Sequence, residues 1–303
     1  MTRFEGIIPP VSTLFTSEGK LNEKDMALLI DHLINAGVNG LFFLGTGGEF
    51  SQMSVAERKK TAEFTVRYVN GRVPVLIGTG GTNTREVIEL SRHAEQAGAD
   101  GIVVINPYYW VLTEENLYKH YSEIAEAVKL PLLLYNFPNM TGQDLTPDFV
   151  LRLVDQHANV VGIKETIDSI GHISGMITKV KSKHPDFAVF CGFDNHLLNT
   201  LQMGGDGSIT ASVNFAPQLS VGIYQAFRKG DLAEAGELQK RLSLLPNIYN
   251  IDSPFVNAVK EATKLCGLDV STDVLPPSRP LSLDKIEQVR SILEQAKVLP
   301  AQL

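Results

Sequence analysis

Eight short runs rich in Val, Ile, Leu and Phe, set between longer amphipathic stretches, constrain this chain more than any other feature. The runs are Gly6–Leu14, Gly40–Leu44, Pro74–Ile77, Gly101–Ile105, Leu132–Tyr135, Val160–Lys164, Ala188–Cys191 and Gly207–Thr210. Each is apolar on both faces, the pattern of a parallel strand covered by helices. Helix entries are explicit between them. Ser54-Val55-Ala56-Glu57 has the form of a capping box, Asn83 precedes Glu86 by three, and Thr146-Pro147 supplies a cap followed by proline at the first helical position. Met26, Leu29, Leu33 and Ala36 mark one buried face of the first helix.

Helix exits recur as Ala36-Gly37-Val38-Asn39-Gly40, Ala97-Gly98-Ala99-Asp100-Gly101 and Met203-Gly204-Gly205-Asp206-Gly207, each leading into a strand. Repeated strand–helix units without a break in composition predict an α/β fold, a (β/α)8 TIM barrel. A doubly wound sheet fits less well, because no Gly-x-Gly-x-x-Gly turn follows the first strand. After residue 230 only helical periodicity remains, over Phe215–Lys229 (the barrel's eighth helix), Asp231–Tyr249, Pro254–Cys266 and Leu283–Val298. The expected organisation is a barrel over residues 1–230 and a helical C-terminal domain over 231–303.

The 27 basic residues against 34 acidic ones leave a net charge of −7, which argues against nucleic acid or an anionic membrane surface as the main partner. Cys191 and Cys266 belong to no Cys-x-x-Cys pair, and no run approaches the roughly 18 apolar residues of a membrane span. The start, Met1–Gly6, has no apolar signal core, so a cytoplasmic protein is expected.

A barrel places its chemistry at the C-terminal ends of the strands and in the loops that follow. Those positions are Thr13, Gly45–Glu49, Gly78–Asn83, Asn106–Trp110, Tyr135–Pro138, Lys164–Asp168, Gly192–His196 and Thr210–Asn214. Of sixteen lysines only Lys164 ends a strand. Desolvation disfavours an ammonium, and a neutral amine is the nucleophile that forms Schiff bases with carbonyls. Tyr135 ends the neighbouring strand and is suited to passing protons at the same carbon. From the residues alone, a lysine paired with Glu165 and a core tyrosine with a satisfied hydroxyl remain open. Gly45-Thr46-Gly47-Gly48-Glu49 offers backbone N–H groups and a hydroxyl to a small anion, whereas the Gly78–Asn83 turn reads as structural. None of the seven histidines ends a strand and no His-x-His pair exists, so the ligands of a barrel metal site are missing. The loop Ala211–Phe215 has no glycine, which removes the usual phosphate cradle and predicts an unphosphorylated substrate.

Five motifs, Gly45-Thr46-Gly47-Gly48-Glu49, Pro107-Tyr108-Tyr109, Tyr135-Asn136-Phe137-Pro138, Gly162-Ile163-Lys164-Glu165 and Gly205-Asp206-Gly207-Ser208-Ile209, fall in order and in register along the chain. In these the sequence resembles the dihydrodipicolinate synthase / N-acetylneuraminate lyase family of class I pyruvate aldolases, over essentially its whole length. The resemblance implies a carbon–carbon lyase that needs no cofactor beyond the Schiff base pyruvate forms on Lys164. It implies Tyr135 as proton donor and acceptor, linked by Thr46 to Tyr109 from a neighbouring subunit. It also implies a carboxylate site around Thr46, Gly47 and Gly48, further substrate contacts at Ile209 and Thr166, and a homotetramer built as a dimer of dimers.

Dihydrodipicolinate synthases carry an arginine two residues after the proline of the tyrosine motif, where Pro138-Asn139-Met140 places methionine. Methionine makes no charge-assisted bond to a carboxylate. Gly47 also replaces a second threonine. Gly6-Ile7-Ile8-Pro9-Pro10, Phe43–Gln52 and Thr141–Pro147 are similar to the bacterial 2-keto-3-deoxygluconate aldolases of the family. Asn139, Thr166, Asp194 and Ser212, none of them cationic, suit a polyhydroxylated aldehyde. The expected activity is reversible cleavage of an unphosphorylated 2-keto-3-deoxy sugar acid to pyruvate and an aldehyde. Dihydrodipicolinate synthesis, neuraminate cleavage, and a barrel that binds keto acids without turnover are the alternatives.

Overall fold

The computed structural model describes residues 4–300; Met1–Arg3 of the expected leaderless start, and Ala301–Leu303 at the end of the expected C-terminal domain, lie outside the described residues. Eight parallel strands appear where the apolar runs place them: β1 Gly6–Ile7, β2 Leu41–Phe43, β3 Val75–Gly78, β4 Gly101–Ile105, β5 Leu132–Asn136, β6 Val160–Glu165, β7 Ala188–Cys191 and β8 Gly207–Ser208. Their order is β1-β8-β7-β6-β5-β4-β3-β2. The ring closes where Pro10 bridges Phe42: Val11 N donates to Phe42 O at 2.8 Å and Phe42 N to Pro9 O at 3.0 Å.

The first strand is shorter than expected. Pro9 and Pro10 have no N–H to place in a ladder, so the regular pairing stops at Ile7, and the closing contact is left to the Pro9 carbonyl and the Val11 N–H. The expected helix Asp231–Tyr249 divides into Leu232–Leu242 and a 3-10 segment Leu245–Asn250. Pro246 explains the break, since its ring meets the carbonyl four residues earlier. The eighth barrel helix begins at Pro217 in place of Phe215. The capping box holds: Ser54 N donates to Glu57 Oε2 at 2.7 Å and Glu57 N to Ser54 Oγ at 3.3 Å. Asn83 caps through Arg85 N at 3.0 Å and not through the residue three on.

The recurring Asn/Asp-Gly of the helix exits has a shared purpose at the barrel floor. Asn39 Oδ1 accepts Ile7 N, Asp100 Oδ2 accepts Val75 N and Asp206 Oδ2 accepts Val189 N, each at 2.8 Å. These side chains satisfy strand-end donors that no neighbour reaches. Stability contacts therefore occupy the floor and leave the opposite rim to the site.

Helices Val256–Leu265 and Leu283–Gln295 follow the barrel. The segment beyond residue 255 is fastened to the rim by Lys260, fully buried, whose Nζ lies 2.5 Å from Glu49 Oε1. Among the described residues no helix is long and apolar enough to cross a membrane.

Candidate active site

β5 and β6 are paired with Tyr135 opposite Lys164 and Asn136 opposite Glu165. Side chains alternate across a strand, so one pair points into the barrel and the next away from it. Tyr135 and Lys164 point in: both are nearly fully buried and both line a cavity of about 240 Å³ at the strands' C-terminal ends. That volume lies below the roughly 300–1,000 Å³ of drug-sized ligand sites and suits a small keto acid. Lys164 Nζ sits 4.1 Å from the centroid of the Tyr135 ring and 5.4 Å from that of Phe42. Among the described residues it makes no ion pair, and Glu165, its neighbour in sequence, is engaged elsewhere.

Thr46 enters from the turn after β2. Its Oγ1 is 3.2 Å from Tyr135 Oη. The turn is unusual in backbone: Leu44 and Glu49, on either side, have φ of 59° and 57°. The left-handed Leu44 sends its carbonyl to where a Cβ on Gly78 would stand, at 2.1 Å, so Gly78 permits the turn that carries Thr46. Arg58 then donates to the carbonyls of Gly78 and Gly80 at 3.1 and 2.9 Å, and burial lowers its pKa to about 10. No residue of Gly78–Asn83 lines the cavity, in keeping with a structural turn.

Of the residues singled out in the sequence, the cavity brings together Thr46, Gly47, Tyr135, Lys164, Thr166 and Ile209, with Asn139 and Met140 on its wall. Thr166 is buried with its hydroxyl unpartnered, and Gly192 leaves room for it: a Cβ there would stand 2.0 Å from Thr166 Oγ1. Gly48 lies behind the lining, its carbonyl accepting Thr13 Oγ1 at 2.8 Å. Tyr109 is 89% exposed, with φ of 82°, and stands outside this chain's cavity against Trp110. Asp194 and Ser212 do not line the cavity either. Ser212 Oγ donates to Asp194 Oδ1 at 2.5 Å and Tyr249 Oη donates to Asp194 Oδ2 at 2.8 Å; burial raises the Asp194 carboxyl and pushes the Tyr249 phenol far up.

Sequence reasoning missed Tyr249 and Phe255, which complete the cavity from the C-terminal segment, and Pro10. Tyr249 and Phe255 follow no strand, so the barrel rule has no means of finding them, and Pro10 fell inside the expected first strand, which in the structure already ends at Ile7. Among the described lining residues Lys164 is the single cation and no carboxylate appears. A wider cleft of about 680 Å³, lined by Thr46, Ser51, Gln52, Met140 and Tyr249–Val256, continues from the mouth.

Behind the reactive pair stands a polar cluster. Asn136 Nδ2 donates to Asp144 Oδ1 at 2.7 Å and to Glu165 Oε2 at 3.2 Å. His172 places Nε2 3.1 Å from Asp144 Oδ2 and Nδ1 2.9 Å from Glu165 Oε2, the latter close in charge but off the line of a hydrogen bond. The hydrogen bond to Asp144 and the proximity of Glu165 raise the His172 pKa to about 10, while burial pushes the Glu165 carboxyl up against the pull of His172.

A lysine and a tyrosine in register at the mouth of a (β/α)8 barrel, with a threonine on the phenol, bring an amine, a phenol and a hydroxyl to one small cavity, the kind of site the aldolases of the dihydrodipicolinate synthetase family use. Residues 3–296 match the dihydrodipicolinate synthetase family, and the chain belongs to it. It is 57% identical to YagE of Escherichia coli K12, a protein provisionally named as a 2-dehydro-3-deoxy-D-gluconate aldolase, over 97% of this chain and 98% of that one. It is 55% identical to YjhH of the same strain, provisionally named as a 2-dehydro-3-deoxy-D-pentonate aldolase, over 99% of this chain and the whole of that one. The crystal structure of YagE in complex with pyruvate superposes with a TM-score of 0.96, covering 97% of this chain and 99% of that one. A dihydrodipicolinate synthase from Thermotoga maritima, 32% identical, superposes at 0.93 over 98% of this chain and all of its own.

Proposed function

We propose that the protein is a class I aldolase that reversibly cleaves an unphosphorylated 2-keto-3-deoxy sugar acid into pyruvate and an aldehyde. The observation that carries this reading is the pairing of Tyr135 with Lys164 across β5 and β6, with Thr46 Oγ1 3.2 Å from the phenol. Lys164 Nζ adds to the C2 carbonyl, and loss of water leaves a protonated imine. The C3–C4 bond then breaks with its electrons moving into the imine to give an enamine. The C4 hydroxyl proton passes to the Tyr135 oxygen, which relays its own through Thr46, and the aldehyde departs. Protonation of the enamine at C3 and addition of water to the imine release pyruvate and restore the amine.

Met140 on the wall and a lining without a second cation favour a neutral, hydroxylated aldehyde over one bearing a carboxylate. The names of the two similar Escherichia coli proteins support the same substrate class. The pyruvate carboxylate would rest on the Thr46–Gly47 turn, with Gly48 shaping it from behind; the Ile209 backbone would contact the bound pyruvate, and Thr166 would face the hydroxylated aldehyde. Tyr109, Trp110, Val111 and Met140 form an exposed apolar surface, 89%, 70%, 72% and 55% accessible, which fits burial against another copy. That surface and the family support a homotetramer in which Tyr109 enters a neighbour's site. Residues 231–303 serve in this reading as a helical domain that closes the cavity through Tyr249 and Phe255. Two unpaired cysteines fit a reducing cytoplasm.

Borohydride reduction in the presence of pyruvate is expected to fix a three-carbon adduct on the peptide containing Lys164, and an unmodified peptide overturns the proposal. Pyruvate release is expected to be fastest from 2-keto-3-deoxygluconate or its pentonate counterpart. Faster cleavage of N-acetylneuraminate, or faster condensation with aspartate semialdehyde, reverses the ranking of substrates.

Tyr135→Phe removes the proton carrier but keeps the ring. It is expected to lower kcat by about 10²–10⁴-fold, while the borohydride adduct with pyruvate still forms. Steady-state rates and mass spectrometry on the same preparation check both halves.

A further inference from the structure

We propose that His172 is a positioning residue for the aldehyde side of the cavity, holding the Phe137–Gly142 wall in place without touching substrate. The inference rests on the aldolase reading and deepens it. The chain leaves β5 at Asn136, passes through Phe137, Asn139 and Met140, all on the cavity wall, and returns at Asp144. Both ends of this excursion meet in one cluster. Asn136 Oδ1 accepts Leu145 N at 3.1 Å and its Nδ2 holds Asp144 at 2.7 Å, while His172 ties Asp144 to Glu165 at the end of β6.

The cluster contains two carboxylates, one of them fully buried, and a single side chain able to carry the opposing charge. Two carboxylates brought together without a cation repel, and Asp144, exposed where Glu165 is buried, is the one with room to move. Its movement would release the returning end of the wall. The returning end keeps a second tie next to Asp144, by Asn106 Nδ2 to Gln143 O at 2.8 Å and by the mutual bonds of Gln143 and Leu112, so the wall would loosen and not unfold. The reactive pair belongs to the strands themselves and stays in register.

The expected result is therefore a split. For His172→Gln, KM for the 2-keto-3-deoxy acid rises roughly tenfold, while the pyruvate concentration giving half-maximal borohydride trapping stays within about twofold of the unmodified protein. In His172→Gln/Glu165→Gln, where the repulsion is gone, KM returns toward its original value. That rescue separates a charge clamp from mere filling of space. Equal shifts in KM and trapping, no shift in either, or a double variant no better than the single one each overturn the inference. Should His172→Gln fail to fold, His172→Asn, which removes the same charge, is expected to give the same split, and its absence is equally decisive. Failure of the unmodified protein to trap pyruvate overturns the aldolase reading itself. Normal trapping with unmoved constants in the variants overturns only the role of His172.

Discussion

Lys164→Ala is expected to abolish pyruvate trapping and to reduce turnover by at least about 10⁴-fold, the scale on which removal of a covalent nucleophile acts. The protein should remain folded. Lys164 makes no hydrogen bond or ion pair to a described residue, and its contacts with the Tyr135 and Phe42 rings are of a kind worth about 2 kcal/mol when desolvated, within what a domain of this size withstands. Lys164→Arg should be equally inactive, because a guanidinium forms no imine at neutral pH. The pair of variants separates the need for an amine from the need for a charge. No other lysine lines the cavity among the described residues, so retention of more than a tenth of the activity in either variant would place the chemistry elsewhere. Measurable turnover that Lys164→Ala removes also excludes a barrel that only binds keto acids.

That prediction draws on residues legible in the sequence, and the reason is geometric. A parallel strand buried on both faces announces itself as an uninterrupted apolar run, and a lysine or tyrosine ending such a run has one place to go. β4, β5 and β7 accordingly fall within one residue of the expected runs, and Tyr135, Lys164 and Thr46 converge. Legibility failed where the determining contact is distant or local chemistry overrides periodicity. Pro9 and Pro10 shortened the first strand, and Pro246 broke a helix whose apolar spacing continued past it. Tyr249 and Phe255 reach the cavity from a segment that carries no strand, and nothing in their neighbours marks them. His172 reads as one polar residue on a short helix, and only the fold shows Asp144 and Glu165 on either side of it. Asp194 and Ser212, whose side-chain types suit a hydroxylated aldehyde, spend their bonds on each other and on Tyr249.

Lys260 is the extreme case, since in the sequence it is one more lysine of an amphipathic helix, 211 residues from its partner. In the fold its Nζ is fully buried, 2.5 Å from Glu49 Oε1, 2.7 Å from Asp273 O and 4.6 Å from the centroid of Phe15. Glu49 Oε2 in turn accepts Leu275 N at 2.8 Å. Burial lowers the Lys260 pKa and Glu49 opposes that, as expected of an ammonium that persists only because its carboxylate is present. Lys260→Met keeps much of the side chain's volume but strands the Glu49 charge without water, and is expected to cost about 3–5 kcal/mol of folding stability. The loss should appear as a lower urea midpoint at unchanged slope, with protein concentration held constant so that any subunit association contributes equally. Glu49→Gln combined with Lys260→Met removes both charges and should recover much of the deficit, because a buried pair replaced as a unit is often close to neutral. Activity should follow a different course. Glu49 closes the left-handed turn that presents Thr46 to Tyr135, so the double variant is expected to stay slow even where its stability returns. A single variant that loses less than about 1 kcal/mol, well short of the usual cost of breaking a buried pair, would show that water or a rearranged side chain reaches Glu49, and that the C-terminal segment holds the turn by packing alone.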